Sequence, residues 1–196
     1  MRALRNLGRR FATDNSAVAA VEFALVLPVM LLLYLGTMEA SALISMDRRV
    51  QTVAGTIGDL VAREDKTIPA ARLKDYFRAA ENIIAPFPTD KLVQTVSFIS
   101  IDADGETLIE WSRRFTGAGA GEERDHTAGH TAGESYDLPE EITSLAENGY
   151  VVVSEASYSY TPLLGLVFES DFPLYRENFY LPRFGEKICY DAAPPC

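Results

Sequence analysis

One carboxylate stands inside an otherwise uncharged apolar run. The stretch Ala17–Met38 holds 22 residues and a single charge, Glu22. At about 1.5 Å per helical residue, such a run reaches about 33 Å and is long enough to cross a bilayer. A carboxylate at the bilayer centre costs roughly 2.5–3.5 kcal/mol on insertion scales, so it calls for a cationic partner. Glu22 lies only five residues into the run, and snorkelling to the headgroups is the simpler alternative. The other groupings that suggest chemistry are weaker. His126 and His130 are four residues apart, with Glu122, Glu123 and Asp125 nearby. Ligation at that spacing needs a helix, and the tandem His-Thr-Ala-Gly repeat does not favour one, so no metal site is expected. Asp102, Asp104 and Glu106 hint at a calcium loop but lack its remaining ligands, which leaves a hairpin turn. No Gly-x-Ser-x-Gly elbow and no P-loop is present, and Gly117-Ala-Gly119-Ala-Gly121 opens no apolar-faced helix. The chain is therefore expected to be no enzyme and to take no cofactor.

Charge and cysteine placement set these groups in a compartment. Arg2, Arg5, Arg9 and Arg10 precede the apolar run, against one aspartate. A basic flank keeps the N-terminus in the cytoplasm and sends the remainder across. Beyond Met46 the chain carries 14 basic and 25 acidic side chains, which argues against a nucleic-acid partner. The apolar run is longer than a secretory signal core and ends in no small-residue cleavage site followed by polar sequence, so a retained anchor is expected. Cys189 and Cys196, the two cysteines, fall on the far side. In an oxidising periplasm they close a disulfide loop; otherwise they are two thiols in a frayed tail.

The elements that position these residues follow from periodicity. Val50, Val53, Ala54, Ile57, Leu60 and Val61 recur at helical spacing, so the membrane helix is expected to continue as a stalk with one apolar stripe. Gly55 and Gly58 weaken that helix by up to about 1 kcal/mol each relative to Ala, unless close packing needs them. Thr67-Ile-Pro69 predicts a helix restart, with Leu73, Tyr76, Phe77, Ala80 and Ile84 on its buried face and Pro86 and Pro88 at its end. Leu92–Ile101 and Thr107–Phe115 read as a hairpin about the turn Asp102-Ala-Asp-Gly105. Thr116–Ser135, with five glycines, is expected to be a flexible loop. Leu138–Asn148 predicts a short helix, and Tyr150–Thr161 the clearest strand. Pro162–Arg176 reads as irregular, with a last edge strand over Phe179–Ile188 broken by Pro182. Tyr158, Tyr160, Tyr175, Phe179 and Tyr180 are expected to pack on the sheet rather than to form a sticky outer surface. The sum is an α+β chain: a basic leader over 1–17, a transmembrane helix over 18–42, and a periplasmic domain over 43–196 built on three or four antiparallel strands.

The stretch Ser16-Ala-Val-Ala-Ala-Val-Glu22-Phe23-Ala-Leu-Val-Leu-Pro28 resembles the signature of TadE-like proteins. These are minor pseudopilins of the bacterial tight-adherence (Tad, type IVc) pilus. The resemblance is strong over residues 8–38 and looser through 56–61, 83–88, 105–111 and 151–164. It implies a pilin-like fold and cleavage by a membrane-embedded prepilin peptidase, with glutamate as the fifth mature residue. Counting back from Glu22 puts that cut between Ala17 and Val18, with Ala17 standing where the family has glycine. The resemblance further implies that Glu22 pairs with the α-amino group of a neighbouring subunit and sets axial register. Phe23 and Pro28 complete the motif. The implied partners are the major pilin, other minor pseudopilins, the prepilin peptidase, the inner-membrane assembly platform and membrane lipid. The alternative is an uncleaved bitopic inner-membrane protein whose periplasmic domain binds or scaffolds.

Overall fold

The computed structural model describes residues 16–117, 126–162, 165 and 170–191. The chain divides into two compact units, residues 1–42 with 162–169, and residues 43–161 with 170–196. The first helix, α1, runs unbroken over Ser16–Ala62 and so contributes to both. After it come β1 (Thr67–Ile68), α2 (Ala70–Glu81), β2 (Leu92–Ile101), β3 (Thr107–Thr116) and β4 (Thr127–Ala128). The chain then continues as α3 (Glu140–Leu145), β5 (Tyr150–Tyr160), β6 (Phe172–Tyr180) and β7 (Cys189–Tyr190).

In the first unit, every described side chain from Val18 to Tyr34 is exposed. Pro28 lies inside the helix, where its missing N–H leaves the Ala24 carbonyl without the usual partner. Glu39, at 3% exposure, is the buried carboxylate of this stretch.

The second unit is the α+β fold that the sequence predicts. Its main sheet is antiparallel, in the order β4-β3-β2-β5-β6. That is five strands, one of them only two residues long, where three or four were expected. One face is covered by the C-terminal part of α1, whose Met46, Val50, Val53, Ala54, Ile57 and Val61 are fully buried. Those positions fall on one stripe because 3.6 residues make a turn. The Ser154 hydroxyl donates to the Ala54 carbonyl at 2.7 Å, which marks how closely helix and strand approach. Gly58 makes that approach feasible: a Cβ there would lie 2.5 Å from both Ser154 Oγ and the Tyr180 ring. The helix propensity lost at this glycine is the cost of bringing two backbones together.

Helix α2 packs on the same face further along. Leu73, Phe77 and Ala80 are buried, and Phe77 stacks on Phe115 with centroids 5.4 Å apart. On the other face, Ile99, Ile101, Ile109, Val151 and Val153 form a core closed by Tyr136, Leu138, Ile142, Ala146 and Phe179. Both faces of β2 are therefore covered, and this explains why its sequence alternates only loosely.

Two boundaries differ from expectation. Thr67 and Ile68 do not start a helix. They form β1, parallel to β7, with Thr67 opposite Cys189 and Ile68 opposite Tyr190. The residue before a proline is pushed toward extended backbone, and Pro69 itself has ψ 146°, so the helix begins only at Ala70. Its first N–H is capped from far along the chain, by the Asp191 carboxylate at 3.3 Å. The last long strand also comes earlier than expected: β6 begins at Phe172, inside the stretch read as irregular, and ends before Pro182. Pro173 is the second residue of β6, a place where an edge strand tolerates proline.

Candidate functional site

Ala17, Val18, Glu22, Phe23 and Pro28 all lie on α1, the first two in its opening turns. Glu22 is exposed, as are Val18 at 53% and Phe23 at 65%. Helical spacing puts Glu22 one turn from Val18 and from Val26, so the carboxylate interrupts a face of branched aliphatic side chains. Beginning at Val18, this helix is long and apolar enough to cross a membrane, and none of its most apolar stretch is buried in the protein. Dissolving that surface in water would leave a contiguous apolar patch of the kind that marks a membrane or protein contact. Cys189 is disulfide-bonded. The other cysteine, Cys196, lies outside the described residues, as do residues 1–15 of the basic leader expected over 1–17.

The remaining candidates resolve into structural parts. His126 and His130 reach different partners: His126 Nε2 lies 2.6 Å from the Tyr190 hydroxyl, and His130 Nε2 lies 2.6 Å from Glu155 Oε2. Asp102 Oδ1 accepts the backbone N–H groups of Asp104 and Glu106 at 2.9 and 2.8 Å, so it serves the hairpin turn itself. Of the stretch 116–135 expected as a loop, Thr127 and Ala128 pair with Arg114 and Arg113 as β4. Among the aromatic residues, Tyr158 and Tyr160 are buried, whereas Tyr175 is 50% exposed.

Three polar constellations escaped the sequence reading. The first is a seam between α1 and β6. Asp47 meets Arg176 at 2.6 Å and Gln51 donates to Asn178 at 2.8 Å. One turn on, Gly55 faces the Tyr180 hydroxyl, and then Asp59 pairs with Arg183 at 3.1 Å. Spacing of four along the helix and two along the strand makes the rows 47-51-55 and 176-178-180 run together, and Arg183 reaches Asp59 from just beyond β6. With two arginines beside it, the Asp59 carboxyl is held below its ordinary range, chiefly by its hydrogen bond to Arg63. The second constellation ends α1: the buried Glu64 accepts from the Tyr76 hydroxyl and from Arg72 Nη1, the latter at 2.9 Å. Burial and the Glu64 charge push the Tyr76 phenol up to about 12. At the other end of α2, Arg49 Nη1 donates to the Ile83 and Ala85 carbonyls, both at 2.7 Å, and so clamps the turn after that helix.

The third lies on the sheet face away from α1. Glu155 accepts from His130 and, through Oε1, from the Tyr175 hydroxyl at 2.8 Å. Tyr136 donates to Glu177 at 2.5 Å. Burial first, then the neighbouring carboxylates, raises both the Tyr136 and Tyr175 phenols. The alternation Tyr175-Arg176-Glu177 held a signal for this cluster, because it puts Tyr175 and Glu177 on one face of a strand.

A helix that changes from wholly exposed and apolar to half-buried against an antiparallel sheet defines the class: an α+β domain carrying an N-terminal helix fit to cross a membrane. Residues 17–57, which lie entirely within α1, match the family model described as TadE-like protein. The match coincides with the resemblance read from Ser16–Pro28. No curated protein and no solved structure matches the chain at a significant level.

Proposed function

We propose that the protein is a minor pseudopilin, a structural and assembly component of a Tad-type pilus that serves surface adhesion. The observation carrying this reading is the coincidence of the TadE-like match at residues 17–57 with a helix whose most apolar stretch is uncovered. An apolar helix of this kind is soluble in a bilayer or in the packed core of a helical filament, and a pilus subunit uses both in turn. In this reading the N-terminus is cytoplasmic, the helix anchors the chain in the bacterial inner membrane, and the domain from Leu43 onward is periplasmic. Prepilin peptidase cuts between Ala17 and Val18. The new α-amino group on Val18 is cationic, and Glu22 of a neighbouring subunit pairs with it, so that helix packing supplies cohesion and the charge pair supplies register. The partners are the major pilin, other minor pseudopilins and the assembly platform. The role is structural, not enzymatic.

The test is Glu22→Val. Membrane insertion of the variant stays intact, because an apolar residue replaces a charge. Its incorporation into sheared pili, read by immunoblot against the cell-associated fraction, is lost; incorporation at the wild-type level would overturn the register role. One observation favours a second reading. Ala17 adds a methyl group where the family's peptidase meets glycine, and an uncleaved bitopic scaffold protein would have no use for the cut.

A further inference from the structure

One arginine stands on the buried side of a strand. Along β3, Trp111, Arg113 and Phe115 share one face, and both aromatic neighbours are buried. Across the ladder, Val96 of β2 and Ala128 of β4 stand opposite Arg113. These neighbours offer the guanidinium methyl groups and rings rather than oxygens. Its Nε is buried without a hydrogen-bond partner, and no described oxygen accepts from the rest of the fork. Other arginines set the contrast. Arg49 donates to two carbonyls, Arg72 to Glu64, Arg176 to Asp47, and both Arg63 and Arg183 to Asp59. A cation taken out of water without a counter-charge is costly, and Arg113 goes without one in a chain of net charge −10.

The fork is nonetheless held in place. Arg113 Cζ lies 4.0 Å from the centroid of the Tyr190 ring. Tyr190 is fixed in turn: β7 pairs with β1, the hydroxyl lies 2.6 Å from His126 Nε2, and the ring leans on Trp111 at 5.8 Å. The Trp111 indole N–H donates to the Ile188 carbonyl at 2.7 Å, which ties that ring down as well. Stacking on an aromatic face occupies the plane of a guanidinium and leaves its edge, where the N–H groups point, able to donate. On the outer side of the row, Ala128 is exposed and carries only a methyl group.

We propose that Arg113, seated on Tyr190, is a binding site for a carboxylate. One negative charge balances the one cation, and a planar carboxylate matches two parallel N–H groups of the fork. A phosphate dianion suits the place less, because the row Ala128–Arg113–Val96–Ser154 holds no second cation. The carboxylate comes either from a free small acid or from an aspartate or glutamate side chain on another chain.

Urea denaturation of the full-length protein in detergent micelles tests this, read by the fluorescence of Trp111, the chain's single tryptophan. Sodium acetate at about 100 mM is compared with sodium chloride at equal ionic strength and neutral pH. A ligand that binds only the folded state raises the folding constant by 1 + [L]/Kd, so a site with Kd about 10 mM gives about a tenfold rise in acetate over chloride. In R113Q the two salts agree within about twofold. R113K keeps the charge but not the fork, and retains only a small part of the rise. R114Q, at the neighbouring arginine whose Nε reaches Thr95 Oγ1, retains all of it. The α-amide of N-acetylglutamate, whose one carboxylate is the side chain, separates the sources. A comparable rise shows that the site admits a side chain, and a rise with acetate alone assigns it to a free small acid. Equal folding constants of the wild type in acetate and chloride overturn the site, as does a rise that survives R113Q. Should R113Q lose its cooperative transition, R113K decides, and an undiminished rise there overturns the site.

Discussion

The two halves of α1 obey different solvents while sharing one backbone. From Val18 to Tyr34 all side chains are exposed, and the sequence is uniformly apolar except for Glu22. From Met46 to Ala62 the apolar side chains withdraw to one stripe, and Asp47, Gln51 and Asp59 occupy the other sides. A helix apolar all round answers to lipid or to other helices, whereas an amphipathic one answers to a core and to water. The difference teaches where each half draws its stability. The second half draws it from the sheet, so its residues are constrained one by one. The first half is constrained only in bulk, with Glu22 as the exception.

The sharpest way to break this comparison is to place the same charge in each half. Val53→Asp puts an unpaired carboxylate into a fully buried site and is expected to cost several kcal/mol, enough to abolish the cooperative thermal transition of the domain. Leu31→Asp, at a position 50% exposed, leaves that transition unchanged and instead lowers the membrane-bound fraction, at a cost of roughly 2.5–3.5 kcal/mol in insertion. Loss of the transition in both variants would show that the halves are not separately stabilised.

The glycines sharpen the boundary at a smaller scale. Gly58→Ala is expected to destabilise the domain by about 1–3 kcal/mol in chemical denaturation, because the new methyl meets Ser154 and Tyr180 at 2.5 Å. Gly55→Ala is expected within about 0.5 kcal/mol of wild type. Its Cβ would stand 3.3 Å from the Tyr180 hydroxyl oxygen, and the gain in helix propensity of up to about 1 kcal/mol offsets that contact. Equal effects at the two sites would contradict the close approach assigned to Gly58.

A pH dependence is expected at the end of α1. The folded Tyr76 phenol, raised to about 12 by burial and by Glu64, keeps its proton where the unfolded chain, near its ordinary value of 10.0, loses it. The stability it contributes is therefore complete below pH ~10 and is lost as pH rises toward ~12. Denaturation midpoints for wild type fall across that window, and Tyr76→Phe falls less steeply. An identical slope in the variant would assign the alkaline loss to other tyrosines.

The parts of this fold legible in the sequence were those with a single dominant period. The stripe Val50–Val61, the hairpin about Asp102–Gly105 and the run Val151-Val-Val153 each repeat one spacing against one environment. Thr67-Ile68 was misread because the proline that usually opens a helix first extends the residues before it. Phe172–Tyr180 was missed because Pro173 resembles a breaker, and because an edge strand needs only one neighbour to pair with. The α1–β6 seam and the Glu155–Glu177 pair were invisible for another reason. Their members lie up to 129 positions apart, and only the sheet register brings them together. Glu22 was visible at once, since a charge within an apolar run needs no partner to be noticed.

The central claim is that the exposed half of α1 is a processed pilus-assembly helix. The N-terminal mass of the protein, purified from cells with and without prepilin peptidase, tests it most directly. The account predicts a mature chain that begins at Val18 in the first strain and retains its leader in the second. An intact leader in both strains would contradict it and leave a bitopic anchored scaffold.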